Sequence, residues 1–317
     1  MSLLSVQNLN IRFSTNDGAV YAVNDVSFDI AAGQKLAIVG ESGSGKSQIA
    51  LSVMGLLAKN AQTSGQVMFD GHDLLTLSNT EMNKIRTREI AMIFQDPMSS
   101  LNPYMRIERQ LGEIVEHHEG VRGAAQRKRV LDVMDAVQIP DAKNRLRAYP
   151  HEFSGGMRQR IVIAMALICN PRLILADEPT TALDVTVQAQ IMKLLDEIQR
   201  DMGTSIVLIT HDLGVVAGFC EDTLVLYGGR VMETARTEAL FEAPTHPYTR
   251  GLLRAVPNIT DPSETLTSIP GSPPNQMKWP EFCPFAPRCP DAIAACHTTL
   301  PVLENGRACI RSVEEIA

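Results

Sequence analysis

The sequence has no apolar run long enough to cross a bilayer. Its longest strongly apolar stretch, Ile161 to Cys169, falls well short of the roughly 20 residues a membrane helix needs. Any membrane role is therefore expected to be peripheral. Met1 to Asn10 lacks a cationic start followed by a long apolar run, so no signal peptide is expected and the chain is read as cytoplasmic. There is no internal repeat and no low-complexity tract, which sets repeat architectures aside. Positive charge is in deficit: 29 Lys and Arg stand against 36 Asp and Glu, a formal net charge of −7, which argues against a nucleic-acid-binding surface. Cysteine is sparse outside one segment. Cys169 and Cys220 stand alone in apolar surroundings and are expected to be buried small residues. The other four, Cys283, Cys289, Cys296 and Cys309, crowd near the C-terminus. What remains is ordinary globular material, 44% hydrophobic and 21% charged. At 317 residues it can form one large core and a smaller appended domain.

The chain is organised around Gly40-Glu41-Ser42-Gly43-Ser44-Gly45-Lys46-Ser47, which fits the phosphate-loop pattern without a mismatch. Lys35 to Val39 reads as the strand before it and Gln48 to Leu57 as the helix after it. The glycines let several backbone N–H groups point at one anion, and the helix N-terminus adds its positive dipole end. Lys46 would reach the terminal phosphates, and the Ser47 hydroxyl would sit on a magnesium ion. This much identifies a nucleotide phosphate binder.

Upstream, Leu3 to Val23 reads as antiparallel strands turning at Asp17-Gly18, with Tyr21 on the second, and Val26 to Ile30 alternates again. Ser64 to Phe69 reads as a strand ending at Asp70-Gly71, and Ile90 to Phe94 as a short apolar strand before Gln95-Asp96-Pro97. From Met98 to Tyr149 the period changes to helical. Met105 to Glu119 and Ala124 to Ile139 look like helices, with Val130, Val133, Met134 and Val137 on one face of the second. This helical insert is either a set of packing helices or a docking lobe. Ser154 is a natural N-cap for a helix from Met157 to Cys169, and Gly155 and Gly156 leave its end open to a ligand. Leu173 to Ala176 reads as a buried parallel strand that delivers Asp177-Glu178. A helix from Val185 to Met202, a strand from Ser205 to Thr210, His211, and strands at Leu224 to Leu226 and Val231 to Glu233 follow. A helix after His246-Pro247-Tyr248 and a turn-rich linker at Ile269-Pro270-Gly271 lead to the cysteines.

An acidic pair at the end of a buried strand is what metal-assisted phosphoryl transfer needs. Asp177 would hold the magnesium shell, and Glu178 would polarise the attacking water. The ordered set of phosphate loop, Gln95 loop, Phe153-Ser154-Gly155-Gly156-Met157-Arg158-Gln159, Asp177-Glu178, Ala182-Leu183-Asp184 and His211 resembles the ATP-binding cassette of ABC transporters over roughly Met1 to Glu233. The resemblance implies an α/β fold of the P-loop NTPase type: a mixed sheet core, an antiparallel β subdomain, a helical subdomain at about residues 98–157, and a small C-terminal extension over 236–317. It implies that Tyr21 stacks on adenine, against the alternative of a half-buried strand tyrosine. It implies that Gln95 senses the γ-phosphate and magnesium and links the site to the helical lobe, which favours docking there. His211 would orient water and γ-phosphate. Ser154, Gly155, Gly156, Gln159 and Asp184 would meet ATP on an opposite subunit. Cassettes of this family work as head-to-tail dimers. One phosphate group cannot be wrapped by both the loop and the signature helix of one compact chain, so this chain is expected to supply half of each of two composite sites.

The C-terminal third narrows the resemblance. His246 to Leu253, Ile269-Pro270-Gly271 and Cys283-Pro284-Phe285-Ala286-Pro287-Arg288-Cys289-Pro290 look like the ATP-binding subunits of bacterial oligopeptide and dipeptide importers. The oligopeptide subunit, which pairs with a second, non-identical cassette, is the most similar. The same group includes nickel and antimicrobial-peptide systems. This implies a place on the cytoplasmic face of the inner membrane, with two transmembrane permease subunits and an external peptide-binding protein as partners. The cysteine spacing is C-x5-C-x6-C-x12-C. Disulfides are not expected in a reducing cytosol, and four clustered thiolates suggest a metal. Zinc usually takes tighter pairs; a 4Fe-4S cluster tolerates irregular spacing and is what the resemblance implies; unligated thiols are the third alternative. Two rival functions are an ABC-type ATPase acting on ribosomes or nucleic acid, and a metal-sensing regulator that uses ATP as a switch. The single cassette, the missing coiled-coil insert and the negative charge weigh against the first. The intact Glu178 and His211 weigh against the second.

Overall fold

A computed structural model of the chain describes residues 2–181, 183–256 and 268–316. Ala182 of the Ala182-Leu183-Asp184 stretch lies outside the described residues. In chain order the elements are β1 (Ser2–Thr15), β2 (Gly18–Ala31), β3 (Lys35–Val39), α1 (Lys46–Val53), β4 (Ala61–Phe69), β5 (His72–Asp73), α2 (Asn79–Ile85), β6 (Ile90–Ile93), α3 (Pro97–Ser100), α4 (Ile107–Glu119), α5 (Gly123–Ala136), α6 (Ala142–Arg145) and α7 (Gly155–Leu167). Then come β7 (Leu173–Asp177), α8 (Val185–Met202), β8 (Ser205–Thr210), α9 (Leu213–Ala217), β9 (Asp222–Tyr227), β10 (Arg230–Arg236), α10 (Thr237–Glu242) and α11 (Pro247–Arg254). Two compact units are built from them. One comprises Met1–Ile30, Lys35–Thr76 and Ile209–Ala317; the other comprises Ala31–Gln34 and Leu77–Leu208.

The first unit holds a four-stranded antiparallel sheet in the order β2-β1-β4-β5. Leu4, Val6, Leu9 and Ile11 of β1 are buried, and Asp70 and Gly71, both at positive φ, form the turn between β4 and β5. In the same unit β3 pairs parallel with β9, and β9 pairs antiparallel with β10. All five residues of β3 are buried, as a strand covered on both faces requires. The C-terminal extension is fastened to this frame by backbone: Thr234 N–H donates to Gly306 O and Ala308 N–H to Met232 O. Buried Glu233 accepts from Thr245 N and Oγ1 and from His246 N, which fixes the entry to α11.

In the second unit β6 pairs parallel with β7, and both are buried throughout. Ile107, Leu111 and Val115 form the inner stripe of α4, and Val130, Val133 and Met134 that of α5. Arg129 Nε donates to Ile168 O and Arg160 Nη1 to Val137 O, so the helices are tied at their carbonyl ends, where cations are favoured. Asp184 caps α8 by accepting from Val187 N at 2.9 Å, and Gly203 ends it at φ 66°.

Several expectations need correction. The helix after the phosphate loop runs from Lys46 to Val53 rather than from Gln48 to Leu57, because Gly55 turns out at φ 61°. Val26 to Ile30 is continuous with the Tyr21 strand as β2. The signature helix opens at Gly155 rather than Met157. Short helices α9 and α10 were not foreseen. Cys220 is buried, but Cys169 is only half-buried; burial raises its thiol to about 11, and the Glu119 carboxylate adds to the rise.

Candidate functional site

In the first unit the phosphate loop leaves β3 and closes on itself before α1. Lys46 Nζ, in a buried side chain, donates to Gly40 O at 2.8 Å and to Glu41 O at 2.9 Å, so the ammonium lies across the loop. Gly40 sits at φ 155° and Gly45 at φ 102°. A side chain at Gly40 would run into Leu226 O and one at Gly45 into Ala22 O, so both glycines are demanded by close backbone approach as well as by φ. Ser42 and Gly43 are exposed, Ser44 is buried and Ser47 is half-buried. The Ser44 carbonyl accepts from Gly229 N at 3.0 Å. Tyr21 is half-buried on β2, and His211 is exposed after β8.

The C-terminal extension reaches this loop at points that motif reading did not identify. Tyr248 Oη accepts from Glu41 N at 3.0 Å, and Gln276 Nε2 donates to Gly43 O at 2.8 Å. Arg288 grips the Glu41 carboxylate with both terminal nitrogens, at 2.7 and 3.0 Å. Tyr21 N–H donates to Gln276 O, and the Tyr21 ring meets Trp279 edge to face at a centroid distance of 5.3 Å, a favourable aromatic geometry. Tyr21, Asn24 and the stretch from Pro274 to Phe282 line a cavity of about 590 Å³. The sequence signals for these contacts are weak: Trp279 is the sole tryptophan, and Tyr248 and Arg288 lie inside the stretches that carry the family resemblance.

In the second unit β6 and β7 bring Gln95 and Glu178 together: Gln95 Nε2 donates to Glu178 Oε2 at 3.0 Å. Thr181 Oγ1 donates to the same oxygen at 2.9 Å. Glu178 adopts φ 46°, a left-handed turn that lifts it off the strand end, while Asp177 stays buried. Ser154 accepts from Met157 N as the N-cap of α7. Ser154 and Gly155 are exposed and Gly156 is half-exposed, whereas Gln159 is buried with Nε2 lacking a hydrogen-bond partner among the described residues. Gly156 has a packing reason too: a Cβ there would lie 2.7 Å from Val187 Cγ1 of α8. A second cavity of about 400 Å³ lies between Phe94, Ser99, Ser100, Ile114, Val162 and Met165; Met98, on the same short helix as Ser99, is exposed.

The four C-terminal cysteines share one small lobe. Cys283 N–H donates to Cys296 O and to Thr299 O. Burial raises the Cys283 thiol to about 11, with Cys309 and Cys296 adding to the rise. Burial likewise raises Cys289 to about 11, partly offset by the Asp291 backbone hydrogen bond, with Cys283 and Cys309 adding to the rise. Among the described residues no group of three or more His, Cys, Asp or Glu side chains is arranged to hold a metal ion. As placed, the four thiols do not fit a single zinc ion, whose sulfur ligands must all lie about 2.3 Å from one centre.

Comparison with known proteins agrees with the geometry. The family described as ABC transporter matches residues 23–181, and that described as oligopeptide/dipeptide transporter, C-terminal region, matches residues 232–296. The chain is 53% identical to the oligopeptide transport ATP-binding protein OppD of Escherichia coli, covering 99% of this chain and 95% of the relative. It is 55% identical to OppD of Haemophilus influenzae over 93% and 91% of the two chains. It is 51% identical to the dipeptide transport ATP-binding protein DppD of Bacillus subtilis over 94% and 90%. Among solved structures, the ATP-binding cassette MJ0796 in a dimeric post-hydrolysis state bound to ADP and Pi is 29% identical, with a TM-score of 0.66 over 74% of this chain and 98% of that one. The chain belongs to the ATP-binding subunits of ABC transporters, in the oligopeptide and dipeptide group.

Proposed function

We propose that this chain hydrolyses ATP to energise the import of oligopeptides or dipeptides, as the peripheral subunit of a complex on the cytoplasmic face of a bacterial membrane. The near-full-length likeness to oligopeptide transport ATP-binding proteins carries the substrate class. Among the described residues no helix is long and apolar enough to cross a membrane, so the path for the peptide belongs to other chains: two permease subunits and an external binding protein. A second, homologous cassette completes the two ATP sites. Ser154, Gly155, Gly156, Gln159 and Asp184 face the nucleotide held by that partner, and Tyr21 stacks on adenine.

The mechanism follows from the chain's own groups. Lys46 leaves the carbonyls of Gly40 and Glu41 for the terminal phosphates, and the loop N–H groups fill the remaining acceptor sites. Ser47 would offer a hydroxyl oxygen to magnesium, and Gln95 and Asp177 would offer amide and carboxylate oxygens, hard donors of the kind that ion takes while it keeps several waters. When bound, magnesium neutralises charge on the phosphates. Glu178, held by Gln95 and Thr181, is the general base that takes a proton from the attacking water, and His211 orients that water. The cavity beside Phe94, Met98 and Ser99 supports docking of a permease segment, so the residue that touches Glu178 sits on the loop that also carries the docking surface. ATP drives the cycle by binding the closed pair of cassettes better than the open one.

For the cysteine lobe we propose a 4Fe-4S cluster in place of one zinc ion. The four cysteines lie in one small lobe, where Cys283 N–H donates to Cys296 O, and a cluster several ångströms across accepts thiolates set farther apart than one ion does. It would supply structural order, since metal binding must first displace protons from thiols raised this far.

The test is purification from native membranes in mild detergent, with identification of what co-purifies and measurement of ATP turnover with and without peptide. Co-purification of a second cassette, two permeases and a peptide-binding protein, with peptide-stimulated turnover, is expected. Ribosomes or DNA without membrane partners would overturn the reading. Iron and acid-labile sulfide in the anaerobic preparation decide the cluster; stoichiometric zinc would refute it.

A further inference from the structure

Glu41 is an anion built into an anion-binding loop. Its main chain belongs to that loop, since Glu41 O accepts from Lys46 Nζ and Glu41 N donates to Tyr248 Oη. A free carboxylate at this position would repel the nucleotide's phosphates, because like charges a few ångströms apart interact strongly when partly screened from water. The carboxylate is not free. Arg288 Nη1 donates to Glu41 Oε2 at 2.7 Å and Nη2 to Oε1 at 3.0 Å, the fork geometry that pairs guanidinium with carboxylate. The guanidinium is itself held from other sides: Nε donates to Pro270 O at 2.8 Å, Nη2 to Ile269 O at 3.2 Å and Nη1 to Tyr227 Oη at 3.1 Å. Its side chain is 5% exposed and that of Glu41 26%. The guanidinium is therefore buried and fixed from several sides, and the carboxylate it holds is only partly exposed, unlike a surface ion pair that comes and goes.

We infer that Arg288 is a positioning residue for ATP binding: it neutralises Glu41 and holds that carboxylate turned away from the phosphates, so that the C-terminal extension completes the electrostatics of the phosphate loop. The inference rests on the reading of Gly40 to Ser47 as the phosphate site. It sets a pattern of signs that a purely structural Arg288 would not produce. Removing the cation exposes the carboxylate and weakens ATP binding. Removing the carboxylate leaves the cation unmatched beside the loop and strengthens it. Removing both returns the affinity toward the parent.

The experiment is a double-variant cycle on the full chain within its native complex, reading KM and kcat for ATP, equilibrium binding of ATP with magnesium, and the thermal midpoint. Arg288→Met should raise KM about tenfold with kcat largely kept, Glu41→Gln should lower KM, and the double variant should lie within about twofold of the parent. A double variant as weak as Arg288→Met overturns the inference, because it shows that the arginine acts through packing. If Arg288→Met does not fold, Glu41→Gln alone decides: an unchanged or raised KM overturns the inference. Lys46→Ala serves as the control. If it keeps the parent's ATP affinity, the phosphate-site reading itself fails. If it loses ATP while the cycle shows no opposed shifts, only the role of Arg288 fails.

Discussion

Gln95 and Glu178 share a hydrogen bond of 3.0 Å although they are 83 positions apart in the chain. The parallel pairing of β6 with β7 brings the two strand ends side by side. With Thr181 donating to the same carboxylate oxygen, Glu178 is aimed by two neutral donors. Glu178→Gln should therefore lower ATP turnover about 10²–10⁴-fold, the usual worth of a general base, while ATP binding persists. Phosphate release and equilibrium nucleotide binding measured on the same preparation check this. Normal turnover in the variant would remove Glu178 from the role of base.

The two signature glycines separate into different jobs. Gly156→Ala places a methyl against Val187, a stiff β-branched side chain, and should cost about 1–3 kcal/mol of stability by overpacking. Combining it with Val187→Ala should restore most of the loss. Gly155 has open space where a Cβ would stand, so Gly155→Ala should leave the urea midpoint nearly unmoved, and a loss of ATP turnover in it would support the proposed close approach of a partner's nucleotide. Urea unfolding and turnover of the three variants test both halves of the statement.

Acid should loosen the chain through His246. Burial lowers its folded pKa to about 3 from an ordinary 6.5, with the Arg307 cation lowering it further; the neutral ring accepts from Tyr248 N through Nδ1. The unfolded chain therefore binds a proton below pH 6.5 that the folded chain refuses. Stability is full above 6.5 and falls as pH drops toward 3. The thermal midpoint of His246→Asn should start lower at pH 7.5 and decline less between pH 7 and 5 than that of the parent. Parallel slopes would show that other groups dominate.

The raised thiols make a chemical prediction. At pH 8 a thiol of pKa about 11 is ionised in about one molecule in a thousand. In metal-free protein Cys283 and Cys289 should react with iodoacetamide far more slowly than a free thiol, and unfolding in urea should abolish the difference. Peptide mapping of the alkylated sites reads this directly. Rapid labelling of both in the native state would contradict the burial.

Much of the frame that carries the candidate site is legible in the sequence because it is local. An apolar strand, a glycine loop and a following helix sit consecutively in the chain, and Val185–Met202 and Ser205–Thr210 declare themselves by period and by flanking Asp184 and Gly203. Glu178 could be placed at a strand end from the run Leu173 to Ala176 alone. Illegible were the contacts made by chain segments over 200 residues apart. Nothing in the pattern around Glu41 points to Arg288, Tyr248 or Gln276, since a single hydrogen bond leaves no periodic trace. Short helices such as α9 and α10 carry too few residues for a period to show. Cys169 was misread because its apolar neighbours in sequence are not its neighbours in space, where Glu119 stands.

The cavity between Tyr21 and Trp279 has one wall from the N-terminal strands and the other from the extension. A small molecule shaped to fill it would have to recognise both walls at once. Selectivity among ATPases is hard to obtain at the phosphates, where many proteins present the same loop. Here the discriminating surface lies in Trp279 and the prolines around it, so a ligand for that cavity would select for cassettes that carry this extension.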